Sequence, residues 1–76
     1  MTLTGRQIRD GRALVRLQCW QVARAAGVST AMVLLAEAID DEPPIPAAQA
    51  AAIRRALDRA GVKFTPDGPR LWNKEP

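Results

Sequence analysis

The chain has no histidine, no tyrosine and a single cysteine, and its aromatic residues are Trp20, Phe64 and Trp72 alone. Each shortage removes a class of function. Without histidine, and with only Cys19 as a thiol, neither the Ser-His-Asp nor the Cys-His arrangement can be assembled, and the common zinc ligand sets are missing. The carboxylates read as caps and surface charges, since the sequence puts none in an obvious apolar pocket with a partner. The expectation is a protein that is not an enzyme and uses no metal and no cofactor. One cysteine excludes an internal disulfide. No apolar run reaches the ~20 residues that span a bilayer, and no secretory signal precedes the first helix. These absences point to a cytoplasmic protein with no membrane partner.

What is present is helix-forming. Alanine, leucine and arginine dominate a chain of 76 residues, close to the lower limit for one unaided core. Eleven Lys and Arg stand against eight Asp and Glu, a net charge of +3 with a pI near 10. That balance favours an anionic partner.

Thr4 is placed to cap a first helix running to about Val15, with Ile8, Gly11, Leu14 and Val15 inward and Arg6, Arg9, Arg12 and Arg16 as a basic flank. Leu17 and Gln18 form a turn into a second helix, about Cys19 to Ala25. Gly27 permits a left-handed turn, and Ser29 caps a third helix over Thr30 to Glu37, with Val28 and Val33 folding inward. Ile39 to Pro46 breaks the helical pattern with three prolines and three acids. Ala47 to Ala60 is a fourth helix with an inward stripe of Ala50, Ile53, Leu57 and Ala60. Arg54 and Asp58 are spaced to attract, and Gly61 is the stop. Then the period changes to a short hairpin: Val62-Lys63-Phe64, a turn over Thr65 to Pro69, and Arg70-Leu71-Trp72.

The stretch from Val22 to Glu37, VARAAGVSTAMVLLAE, has the spacing of two helices about a glycine turn, the pattern whose second helix can enter a DNA major groove. Together with Ile8, Arg12, Ala13 and Leu14 before it, and Ala52 to Phe64 followed by PDGPRL after it, this chain resembles the Cro/lambda-repressor-like helix-turn-helix family, the xenobiotic-response-element (XRE) type, and in particular its short bacterial regulators. The resemblance implies a mainly α fold. It would be a four- to five-helix Cro/lambda-repressor-like helix-turn-helix bundle over 4–60, a short C-terminal β-hairpin over 62–72 and a tail at 73–76, all one domain over 1–76. It also implies an ion pair between Arg12 and Glu37. Three positions depart from the family: Arg16 stands where a small turn residue is usual, Gln18 where a Ser or Thr cap is usual, and Cys19 where a glutamine anchors a phosphate.

By the same resemblance the protein is a DNA-binding transcription regulator, a homodimer on double-stranded DNA. Its contacts would come from Arg16, Gln18, Cys19, Arg24, Ser29, Thr30, Ala31, Met32 and Leu35. Base reading in the major groove normally uses Arg, Lys, Asn or Gln. Here only Thr30 offers a hydroxyl, while Ala31 and Leu35 can touch thymine methyls. Phosphates would be held by Arg6, Arg9, Arg16 and Arg24, or by Arg54, Arg55, Arg59 and Lys63. The alternative is a derived module that has exchanged DNA for a regulatory protein partner, as its antagonist or subunit. Its surface would be Trp20, Met32, Leu34 and Leu35. Taken singly, Leu34 or Leu35 is expected to pack under the acidic loop or the hairpin, and Trp20 against Trp72. A thiol at a helix N-terminus has its thiolate favoured by the dipole, but with no resolving cysteine Cys19 reads as structural. The hairpin, through Val62, Phe64, Leu71 and Trp72, is the expected dimerisation element.

Overall fold

The computed structural model describes residues 3–72, so the tail expected at 73–76 lies outside them. Four helices and one antiparallel hairpin follow in order: α1 (Gly5–Leu14), α2 (Cys19–Ala26), α3 (Thr30–Glu37), α4 (Ala47–Arg59), β1 (Val62–Thr65) and β2 (Gly68–Leu71).

Local chemistry sets these boundaries. Thr4 and Gln7 form a reciprocal capping box: Thr4 Oγ1 accepts from the Gln7 amide at 3.1 Å, and Gln7 Oε1 accepts from the Thr4 amide at 2.9 Å. At α2 the Gln18 amide donates to Gln21 Oε1 at 2.7 Å. Gly27, at φ 73°, ends α2, and the Gly27 and Val28 amides bond the carbonyls of Arg24 and Ala23. Ser29 Oγ then accepts from the Met32 amide at 3.1 Å and starts α3. The axes of α2 and α3 turn through 115° across this break.

The core is aliphatic with one ring: Ile8 from α1, Val22 and Ala23 from α2, Val33 and Ala36 from α3, Ile53 and Leu57 from α4, and Val62 and Phe64 from β1. Gly11 lets α1 lie against the hairpin, since a Cβ there would stand 3.2 Å from both Val62 Cγ1 and the Phe64 ring. Gly5 is packed more tightly still; a Cβ would overlap the backbone oxygens of Ala36 and Ile39. Its amide donates to the Asp41 carbonyl at 2.9 Å, which docks the start of α1 on the chain leaving α3.

Several sequence expectations are corrected. Leu14, the last residue of α1, is exposed. Ala60 is exposed too, and Ala56 is buried in its place: Ala60 lies beyond the end of α4, whereas Ala56 adjoins Leu57 on the inward face. The hairpin turn is shorter than expected, because Thr65 pairs with Gly68 and Phe64 with Pro69, leaving Pro66 and Asp67 as the connection. Thr65 makes the tight turn, its hydroxyl donating to the Gly68 carbonyl at 2.6 Å and accepting from the Asp67 amide at 3.2 Å. Trp72 follows β2 rather than belonging to it, although its amide still reaches the Gly61 carbonyl at 2.6 Å.

Candidate nucleic-acid interface

Helix α3 divides cleanly by its 3.6-residue period. Val33, Ala36 and Glu37 are buried, Met32 is half-buried, and Thr30, Ala31, Leu34 and Leu35 face solvent. Leu34 is 56% exposed and Leu35 48%. Neither packs under the acidic loop or the hairpin, because the hairpin lies on α1 and α4, away from α3.

The helix is held in place by its one buried acid. Glu37, 7% exposed, receives both Nε and Nη2 of Arg12 at 2.8 and 2.9 Å, the pairing the family resemblance implies. Arg12 Nη1 also donates to the Leu17 carbonyl at 2.9 Å, so one guanidinium fixes α1, the α1–α2 turn and α3 together. The hydrogen bonds to Glu37 raise the Arg12 pKa against the opposing effect of its partial burial. Arg9 adds a clasp at the end of α3, donating to the Glu37 carbonyl at 3.1 Å and to Asp40 Oδ1 at 2.8 Å. The bond from Arg9 holds the Asp40 carboxyl below the usual carboxylate range.

The basic flank of α1 is therefore largely committed. Arg6 lies 3.8 Å from Asp10, Arg9 pairs with Asp40, and Arg12 with Glu37. Among the described residues these are the ion pairs; the expected Arg54–Asp58 attraction gives way to Arg54 standing 5.9 Å over the Phe64 ring. Among the described residues, the cations outside these ion pairs lie elsewhere. Arg59 donates to the Ala25 carbonyl at 3.1 Å, which carries the basic edge of α4 to the end of α2, next to exposed Arg24 and just before Gly27 and α3. Arg55 lies one turn back from Arg59 on the same exposed edge. On the hairpin, exposed Lys63 and Arg70 are directly opposite one another.

The remaining predicted positions fall as follows. Arg16 is exposed at φ 57°, a left-handed conformation that explains why a small residue is expected there. Gln18 is exposed at the N-cap of α2 and Ser29 is exposed at that of α3. Cys19 is half-buried against the core, its Sγ 4.0 Å from Glu37 Oε2. Burial first, then the Glu37 charge, push its thiol pKa up against the pull of Arg12, so the helix dipole does not activate it. Trp20 is not buried against Trp72: they are 54% and 53% exposed. The period of α2 turns Cys19, Val22, Ala23 and Ala26 inward and leaves Trp20 and Arg24 on the outer side.

Of the expected dimerisation residues, Val62 and Phe64 are committed to the protein's own core, while Leu71 and Trp72 are exposed. Sequence reasoning missed the Arg9–Asp40 clasp and the Arg59–Ala25 tie, whose partners are 31 and 34 residues apart with no local pattern joining them. Among the described residues, no three His, Cys, Asp or Glu side chains group to hold a metal, and no single helix is long and apolar enough to cross a membrane. No known protein family, curated protein or solved structure matches this chain.

Proposed function

We propose that this chain is a helix-turn-helix protein of the Cro/lambda-repressor-like type that binds double-stranded DNA and regulates transcription by occupying a promoter. The observation that carries the reading is the α2–Gly27–α3 unit: two helices turned by 115°, the second fixed at its far end by Arg12 and Arg9 and open along its outer face. Helix pairs at about 90–120° about a short glycine-containing turn are the geometry that lays a second helix in a major groove. The net charge of +3 and the arginines at the turn, Arg24 and Arg59, supply the attraction to phosphate.

The protein acts as a homodimer, with Leu71 and Trp72 as the exposed apolar elements that pair two copies. Two copies across a two-fold axis would present two α3 helices to half-sites about one helical turn apart. The test is fluorescence anisotropy with random duplex DNA over a salt series. Binding through about four arginines per protomer, Arg16, Arg24, Arg55 and Arg59, gives a slope of log K against log salt of roughly −3.6 per protomer. No binding even at low salt would refute the reading.

A second reading has its own support in the exposed apolar set Trp20, Leu34 and Leu35. On it, α3 docks on a regulatory protein instead of DNA. Absence of DNA binding, with a complex abolished by charged substitutions at Leu34 and Leu35, would favour it.

A further inference from the structure

The outer face of α3 is built from Thr30, Ala31, Leu34 and Leu35, and Thr30 carries its only polar side-chain atom. A surface of that composition cannot make the bidentate contacts that usually distinguish bases. The major groove offers it one apolar target, the C5 methyl of thymine. We propose that α3 selects DNA by packing Ala31, Leu34 and Leu35 on thymine methyl groups, so that its ligand is B-form duplex with a thymine-rich half-site. This rests on the DNA-binding reading above and adds the chemistry by which the site is chosen.

Three features of the fold support this occupant. Positions i, i+1, i+4 and i+5 form one continuous strip on a helix. From Thr30 to Leu35 it runs about 7.5 Å, the length of roughly two base-pair steps at 3.4 Å each. It therefore covers about three base pairs. Charge complementarity is on hand beside its N-terminal end, where exposed Arg24 and the guanidinium of Arg59 on the Ala25 carbonyl flank the turn into α3, and neither arginine is in an ion pair among the described residues. At the other end, Glu37 is buried against Arg12 and exposed Asp40 is matched by Arg9, each at 2.8 Å. Cations at the edge position the helix on phosphates, and the apolar strip supplies the selection.

Uracil tests this directly, because it keeps the pairing and the O4 acceptor of thymine and lacks only the methyl. The full chain is titrated against alternating dA-dT duplex and the same duplex carrying deoxyuridine in place of thymidine, with dG-dC duplex and its 5-methylcytosine form as the converse pair. Burying one methyl is worth about fourfold in affinity. Two to three methyls under the strip give a preference for the thymine duplex of about 15- to 60-fold, and methylation of cytosine gives a gain in the same direction. Substituting L34A and L35A together, both at exposed positions, lowers the thymine-to-uracil ratio to about fourfold, the share of the methyl under Ala31, while the salt dependence persists. Binding that is equal on the two duplexes overturns methyl selection and leaves DNA binding standing. A ratio unchanged in the double variant also overturns it, since the methyls would then be read elsewhere. Binding to none of the duplexes overturns both readings.

Discussion

Replacing Arg12 with alanine should be the most damaging single change on the polar surface of this protein. Its guanidinium makes two bonds to a carboxylate that is 7% exposed and a third to the Leu17 carbonyl. The Arg12 side chain is itself 22% exposed, so solvent screens the pair only in part. Removing one partner of a buried pair leaves an uncompensated charge and costs about 3–5 kcal/mol; the partial exposure of Arg12 places the expectation near 3. A chain of this length has a total stability of roughly 4–11 kcal/mol. The loss therefore takes a large share of it and lowers Tm by roughly 12–24 °C. Urea unfolding followed by far-UV circular dichroism measures the difference directly. Substituting Arg12→Met with Glu37→Leu should recover most of the loss, because an apolar pair of similar volume carries no desolvation penalty. A cost below about 1 kcal/mol for Arg12→Ala would refute the claim that this contact holds α3 in place, as would a double variant no more stable than the single one.

Gly5→Ala should destabilise the fold by about 1–3 kcal/mol, since the added methyl meets the backbone oxygens of Ala36 and Ile39, which cannot turn aside. Gly11→Ala, whose methyl meets the Phe64 ring and Val62 Cγ1 at 3.2–3.3 Å, should cost much less, because side chains can shift and alanine regains about 0.8–1.0 kcal/mol of helix propensity. Thermal melts of the two variants decide it; equal losses would refute the distinction. Arg16→Gly should raise stability by about 0.5–1 kcal/mol by relieving the left-handed backbone at φ 57°, and a lower Tm would refute this. Cys19 in the folded protein should be alkylated more slowly than free cysteine at neutral pH, because burial and Glu37 raise its pKa. The sign for stability follows: this thiol favours the fold while protonated, and that contribution fades as pH rises from the unfolded thiol pKa through the raised folded value. Asp40 has the opposite sign. Its pKa is lowered by Arg9, so its contribution is present above the unfolded carboxyl pKa and is lost as pH falls through the lower folded value, and Asp40→Asn should flatten that part of the acid limb.

Much of the local structure was legible in the chain itself, because local interactions produce it. A Thr-x-x-Gln box, a glycine at a left-handed position, a serine before an apolar run and a proline-rich break each act within a few residues. They set α1, the α2–α3 turn, the start of α3 and the loop before α4. The corrections arose where a face is decided by what packs on it. Taken singly, Leu34 or Leu35 is expected from the sequence to pack under the acidic loop or the hairpin, yet the hairpin folds against α1 and α4 and both leucines stay in solvent. Trp20 and Trp72, the obvious aromatic pair, each remain more than half exposed.

The sequence by itself determined the helical class, the positions of its breaks, the excess of positive charge and the lack of any histidine or second thiol. Only the tertiary structure decided which of these charges are matched by a distant acid. Arg9 and Arg12 look equivalent to Arg24 and Arg59 in the chain, but the fold pairs the first two with acids and leaves the last two outside ion pairs at the turn before α3. The physical reason is distance along the chain: the partners of Arg9, Arg12 and Arg59 lie 25 to 34 residues away, so no local pattern could place them together.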